Sequence, residues 1–258
     1  MIQFEAVNKT FPGGVKALSG VNLTIEKGDF VAVVGLSGAG KSTLLRAVNG
    51  LVRPESGRVL VDGSDVAAMA GKELRRLRRR IGLIFQDYNL VDQSPVLTNV
   101  LAGRLGYNSG WGSLVGKFPP QDVDLAKRCL AQVELTDKTY ERAGNLSGGQ
   151  KQRVSIARAL AQEPAIILAD EPVASLDPPT AHDIMQYFKR INRQQGITIL
   201  INLHDINLAC QYARRIIGMR QGQIVHDGPS DSVCSETFSE IYGRSPHPAE
   251  IEAGHAAS

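Results

Sequence analysis

The sequence predicts an α/β fold built on a largely parallel sheet, and three observations predict it. Apolar runs of strand length recur along the chain, stretches with three-to-four helical spacing alternate with them, and several of the apolar runs turn polar only at their last residue. Strands joined through helices need crossover connections, which lay neighbouring strands parallel. The chain has 258 residues, 43% hydrophobic and 21% charged, room for one large α/β domain or two modest ones. A net charge of +3 does not by itself point to nucleic acid or a membrane surface. No apolar run approaches the roughly 18 residues of a membrane span, and "MIQFEAVNKT" lacks the basic start and apolar stretch of a secretory signal. Cys129, Cys210 and Cys234 are widely spaced without a C-x-x-C pattern, which fits a reducing compartment and neither disulfides nor zinc.

In chain order, "IQFEAV", "LSGVNLTI" and "FVAVVG" read as strands separated by the turn signals "PGG" and "KGD". The second alternates apolar and polar, as a strand with one wet face does. The third is apolar throughout, as a strand covered on both faces is. "KSTLLRAVNGL" follows as a helix, "GRVLVDG" as an edge strand and "IGLIFQ" as a buried strand. From about residue 87 to 162 the pattern turns helical, in "VLTNVLAGRL", "DVDLAKRCLAQV" and "GGQKQRVSIARALA", and reads as an insertion into the sheet domain. "AIILAD" and "ITILINL" are then strands, "TAHDIMQYFKRINRQQ" and "INLACQYARR" helices. The end, "SPHPAEIEAGHAAS", carries no apolar periodicity and is expected to fray.

Four buried runs stop at residues unsuited to a core: a glycine loop at Gly35, Gln86, the pair Asp170 and Glu171, and His204. If these strands are parallel neighbours, the four ends share the sheet edge where open α/β sheets bind ligands. The loop "GLSGAGKST" supplies the ligand class. Gly35, Gly38 and Gly40 let the backbone curl its N–H groups toward a phosphate chain, and the next helix adds its positive end. Lys41 can reach the β and γ phosphates, and the Ser42 hydroxyl can coordinate Mg²⁺. Two acids at a buried strand end are costly unless a metal and a water accept them. Alternation aims them differently, so Asp170 is assigned to Mg²⁺ and Glu171 to the attacking water. Gln86 and His204 alone also read as a hydrogen-bonded turn residue and a structural histidine. They gain function only by sharing the edge.

A second glycine turn, "NLSGGQKQR", opens another helix. Ser147 is a good N-cap, and Gly148 and Gly149 leave N–H groups open. Lys151 and Arg153 sit in the first turns, where cations oppose the helix dipole unless a phosphate docks there. The alternative is a capped helix with a solvated basic face.

Together these parts resemble the ATP-binding subunit of an ABC transporter over residues 1 to about 243. "GLSGAGKST" stands as Walker A, Gln86 as the Q-loop, "LSGGQ" as the signature, "IILADE" as Walker B, "SLD" with Asp177 as the D-loop, and His204 as the switch histidine. The resemblance implies a P-loop NTPase fold with an N-terminal antiparallel β subdomain, a mixed core sheet and an inserted helical subdomain, forming one domain over residues 1–245 ahead of a disordered tail at 246–258. It assigns Gly35, Leu36, Ser37, Gly38, Ala39, Gly40, Lys41, Ser42 and Thr43 to ATP, and adds Gln86 to Ser42 and Asp170 at Mg²⁺. Glu171, His204, Gln86 and Lys41 become the catalytic set. Two copies would dimerise head to tail, so that Ser147, Gly148, Gly149 and Gln150 of each close over ATP held by the other, with Asp177 at the interface. Phe11 stands where many members stack a tyrosine on adenine.

A separate ATPase chain suits bacterial importers, peripheral to the cytoplasmic face of the inner membrane, with two permease subunits and a periplasmic binding protein. Residues 89–119, "LADEPVASLDP" and "INLHDINLA" resemble the phosphonate branch, whose relatives carry phosphite and hypophosphite; another small solute such as an amino acid is the alternative, and a soluble ABC-type ATPase acting on nucleic acid a remote one. Trp111, in the long segment 105–120, reads equally as a packing residue. The basic run "KELRRLRRR" reads as a solvated face, with a lipid or permease contact as the alternative; no nucleic-acid partner is expected.

Overall fold

The computed structural model describes residues 2–107 and 118–245, and two sheets organise them. β1 (Ile2–Phe11) and β2 (Val15–Ile25) pair antiparallel, from Ile2 opposite Ile25 to Phe11 opposite Val15. The connecting turn runs through Gly13 and Gly14 at φ 92 and 79, a region other residues rarely enter. β4 (Ser56–Val61) lies antiparallel on the other side of β1. The 57–63 run thus sits one place in from the edge. Asp62 and Gly63, at φ 50 and 78, fold the two-residue β5 (Ser64–Asp65) back upon it.

The larger sheet has the order β10-β9-β3-β8-β7-β6. Its parallel core joins β6 (Ile81–Ile84), β7 (Ile166–Asp170), β8 (Thr198–Asn202), β3 (Phe30–Val34) and β9 (Arg215–Arg220). β10 (Gln223–Pro229) closes one edge antiparallel to β9. Sequence reading missed this last hairpin and carried a helix through to residue 215. Instead α7 (Ile206–Tyr212) stops where Ala213 turns extended, and Ile216 and Ile217 go fully into the core. Gln221 and Gly222, both at positive φ, make the two-residue turn that matches strand twist.

Alternation along the buried strands divides the core. Val31, Val33, Leu168 and Leu200 point to one face, where α1 (Lys41–Val48) and the antiparallel sheet cover them. Phe30, Ala32, Val34, Ile167 and Ile199 point to the other, against the remaining helices. Between β6 and β7 run α3 (Val96–Leu101), α4 (Pro120–Gln132) and α5 (Gly148–Leu160), sharing Val100, Leu130, Val154 and Ala157 at full burial. Arg104 stitches them: its Nε donates to Asp122 at 2.9 Å and its Nη1 to Glu163 at 2.8 Å. α2 (Gly71–Arg79) carries the basic run and buries only Leu77. α6 (Pro178–Gln195) precedes β8, and α8 (Ser235–Tyr242) packs on β9 and β10. Trp111 with most of the 105–120 segment, and the tail at 246–258, lie outside the described residues.

Candidate active site

Strand order decides the site. β3, β8, β7 and β6 are consecutive and parallel, so the first glycine loop, His204, Asp170 with Glu171, and Gln86 follow one another along a single edge. The conditional placement drawn from the sequence is the placement found.

At that edge the loop geometry admits only glycine at two points. Gly35 and Gly40 have φ of 146 and 105, and a Cβ on either would lie 2.2 Å from a carbonyl oxygen, of Met219 and Ala17 respectively. Gly38 turns at φ 78 with open space around it. Leu36, Ser37 and Gly38 face solvent while Ala39, Gly40 and Lys41 are buried. α1 then starts without any side-chain cap, leaving its first-turn N–H groups to a ligand. Thr43 follows in that turn, half-buried. Lys41 Nζ donates to the carbonyls of Gly35 at 2.8 Å and Leu36 at 3.1 Å, so the loop closes around its own cation. Burial pulls the Lys41 ammonium below its ordinary range, and the charges of Glu171 and Asp170 oppose that shift.

Asp170 is buried yet fully engaged. Ser42 Oγ donates to its Oδ1 at 2.7 Å, Asn202 Nδ2 to the same oxygen at 2.8 Å, and Arg46 Nη2 to Oδ2 at 3.3 Å. Glu171 leaves the strand in the left-handed region at φ 53, uncommon for a side chain of its size, and this re-aims its carboxylate. Its Oε1 lies 2.7 Å from His204 Nε2. Gln86 is exposed just beyond the end of β6, the strand beside β7, and no hydrogen bond joins it to Ser42 or Asp170. The backbone after it enters the left-handed region twice, at Tyr88 (φ 56) and Asn89 (φ 50). Arg158 of α5 donates to both carbonyls, at 2.7 Å to Tyr88. Phe11, 37% exposed at the end of β1, presents an aromatic face with the Lys9 ammonium 5.4 Å from its centroid.

The second turn is built otherwise. Ser147 Oγ accepts from Gln150 N at 3.4 Å while Gln150 Oε1 accepts from Ser147 N at 3.0 Å, a complete capping box. Both cations are committed within the chain: Lys151 Nζ to Asp92 at 3.2 Å, and Arg153 Nη1 to the carbonyls of Val133 and Glu134 at 3.2 and 3.3 Å. Gly149 packs on α6, where an added Cβ would meet Thr180 Cγ2 at 2.4 Å, and a Cβ added at Gly148 would lie 3.0 Å from the Tyr88 hydroxyl. Asp177 caps α6 by accepting from Thr180 N at 3.2 Å, and hydrogen bonding to the Thr180 side chain, then to its backbone, holds the carboxyl below the usual range. A polar cleft of about 430 Å³ runs between α5 and α6 past Ser147, Gln150 and Thr180.

Asn202, Arg46 and Arg158 went unread in the sequence. Asn202 left a trace, as the amide inside the otherwise mostly apolar "ITILIN". Nothing in the pattern marked the arginines.

With this arrangement in view, residues 18–174 match the ABC transporter family, and the chain belongs to that family. Among its relatives, the phosphonates import ATP-binding protein PhnC 3 of Halalkalibacterium halodurans is 54% identical over 244 residues, 95% of each chain. PhnC of Bacillus thuringiensis subsp. konkukian is 56% identical over 243 residues, 94% of this chain and 95% of its own. Among solved structures, a dimeric ATP-binding cassette in a post-hydrolysis state with ADP and Pi superposes with a TM-score of 0.79 at 36% identity, over 89% of this chain and 99% of that one. CbiO1 of Clostridium perfringens, part of the transporter complex cbiONQ, gives 0.79 at 31% identity, over 93% and 90% of the two chains.

Proposed function

We propose that this chain is the ATP-hydrolysing subunit of a bacterial importer that takes up a phosphonate or a related reduced-phosphorus oxyanion such as phosphite or hypophosphite. One observation carries the ATPase part: a glycine loop, a Ser–Asp oxygen pair with the aspartate buried, a re-aimed glutamate and a histidine stand side by side on one sheet edge. The cargo rests on relatives above 50% identity that are named for phosphonate import. We read residues 1–245 as one ATPase domain carrying the helical insertion at about 87–162.

In this reading the N–H groups of residues 35–43 hold the phosphates, Lys41 turns from its two carbonyls to the β and γ groups, and Phe11 stacks on adenine. Ser42 Oγ and Asp170 Oδ1, 2.7 Å apart, form the hard-oxygen pair that suits Mg²⁺, and Gln86 would complete it from the neighbouring strand end. Bound there, Mg²⁺ neutralises charge developing on the phosphates. Glu171 orients and deprotonates the attacking water, and His204 stands beside it toward the γ-phosphate. The signature turn, with its cations already committed, offers only backbone N–H groups and the Ser147 hydroxyl. Those suit a nucleotide held by a second copy, with Ser147, Gly148, Gly149 and Gln150 closing over it and Asp177 at the seam. Among the described residues no helix is long and apolar enough to cross a membrane. The chain is assigned to the cytoplasmic face of the inner membrane, peripheral, docked on two permease subunits served by a periplasmic phosphonate-binding protein.

Growth of the native host carrying Lys41→Ala tests the reading, with phosphate, a short alkylphosphonate, phosphite or hypophosphite as sole phosphorus source. Growth lost on one reduced compound and kept on phosphate identifies the cargo. Normal growth on all four, in a host without a backup importer, rules out a phosphorus cargo and points to an amino acid.

A further inference from the structure

The C-terminal helix reaches back to the reaction edge. α8 buries Phe238 and Ile241 against the β9–β10 hairpin, so closely that a Cβ on Gly218 would lie 2.4 Å from the Ile241 side chain. Tyr242 stacks on Phe238 with centroids 4.4 Å apart, and the Arg244 guanidinium lies 5.2 Å from the Phe238 ring. From this seat the Tyr242 hydroxyl donates to the backbone carbonyl of His204 at 3.1 Å, across 38 residues of sequence. That is the residue whose imidazole meets Glu171 at 2.7 Å. The same short stretch is fixed on two further sides. Leu203 N donates to Val33 at 3.0 Å, and Asp205 caps α7 by accepting from Asn207 N at 2.8 Å. Without the tyrosine, His204 would hang between these anchors with its own carbonyl unheld. A cleft of about 450 Å³ separates the glycine loop at Leu36 and Ser37 from this stretch, and Tyr242 forms part of its wall.

We propose that Tyr242 is a positioning residue for ATP hydrolysis: its hydroxyl holds the His204 backbone so that the imidazole stays on Glu171 and toward the γ-phosphate. A second copy or a membrane subunit is not needed for this contact. The inference rests on the role given to His204 in the proposed function. It adds a residue that lies well past the 18–174 span matched to the family.

Tyr242→Phe in the full-length chain keeps the ring stack and removes only the donor. One net hydrogen bond corresponds to about a fivefold change, so turnover falls about fivefold while KM for ATP and the melting temperature hold. The His204 imidazole resonance shifts in the protein without added nucleotide, and those of the other histidines do not. Unchanged turnover with an unmoved His204 resonance overturns the inference. So does a loss in which KM rises and the melting temperature drops, which marks a merely structural tyrosine. His204→Ala separates the two levels. Turnover lost there but normal in Tyr242→Phe defeats the inference alone, whereas normal turnover in both defeats the role of His204 beneath it.

Discussion

The two glycine-rich turns of this molecule both open helices, yet they are built on opposite plans. The turn at residues 35–40 is held by three glycines at positive φ, two of them pressed against backbone carbonyls, and its helix starts with no side-chain cap. The turn at Ser147 has no residue at positive φ and caps itself through Ser147 and Gln150. Beside the first lie a buried lysine bound to the loop's own carbonyls and a serine hydroxyl that donates to a buried aspartate. Beside the second, the nearby cations are tied to Asp92 and to two carbonyls. In the proposed reading, an uncapped helix start enforced by glycine receives the nucleotide and has the oxygens that would hold the metal beside it. A self-satisfied start is stable alone and adds only N–H groups to a phosphate brought from outside. The contrast accounts for two phosphate-seeking turns and a single acid pair in one domain.

The strongest way to break the contrast is to remove the group proposed to activate water. Glu171→Gln keeps the size and the left-handed backbone but loses the base, so turnover drops by about 10²–10⁴. ATP then persists, and light scattering finds a dimer in ATP and a monomer without it. A variant that binds ATP yet stays monomeric would leave the second turn with no nucleotide to meet. Next comes Lys41→Ala, which removes a charged donor from the first turn only. Hydrogen bonds to charged groups of about 1.5–3 kcal/mol translate to roughly a ten- to hundredfold rise in the Kd for ATP, measured by titration calorimetry.

Glycine replacements compare the turns directly. Gly40→Ala puts a Cβ 2.2 Å from the Ala17 carbonyl at φ 105, so backbone must move, with strain of about 1–3 kcal/mol in addition to the clash. The melting temperature falls and ATP binding goes with it. Gly149→Ala meets the Thr180 methyl at 2.4 Å, a contact that side-chain rotation relieves. Thermal stability changes less there and ATP affinity holds, while ATP-driven dimerisation weakens. Equal melting shifts in the two variants would mean that both turns are braced alike.

How much of this was legible depended on what each residue's role required of its neighbours in sequence. The loop could be read because close phosphate approach demands glycines at fixed offsets, with the lysine and hydroxyl directly after them. The four strand ends could be read because apolar runs that stop at Gln86, Asp170 and His204 announce an edge, although only pairing shows that the strands are adjacent. Arg158 could not be read: a helical arginine looks solvated until the fold lays it beneath the carbonyls of Tyr88 and Asn89. The β9–β10 hairpin was lost to a helix that ran on too long, since "ACQYARRII" keeps three-to-four spacing past the true stop at Tyr212. Lys151 and Arg153 were visible as residues, but their partners Asp92 and the Val133 carbonyl come from distant segments.

Lys151 gives the finest test because the two plans predict different sizes for the same change. Its ion pair with Asp92 is exposed on the Asp92 side, and such pairs contribute about 0.2–1 kcal/mol. Its position in the first turn of α5 opposes the helix dipole by about 0.3–1 kcal/mol. The two effects have opposite sign and similar size, so Lys151→Ala leaves the melting temperature within a degree or two. With the ammonium held by Asp92 rather than by a partner's phosphate, ATP-driven dimerisation changes less than about threefold. Both quantities, measured at low and high salt, should stay close to those of the unaltered chain. A tenfold loss of dimerisation that grows as salt is lowered would show the lysine leaving Asp92 to grip the nucleotide across the interface. The second turn would then bind phosphate as the first does, with a cation as well as with its backbone.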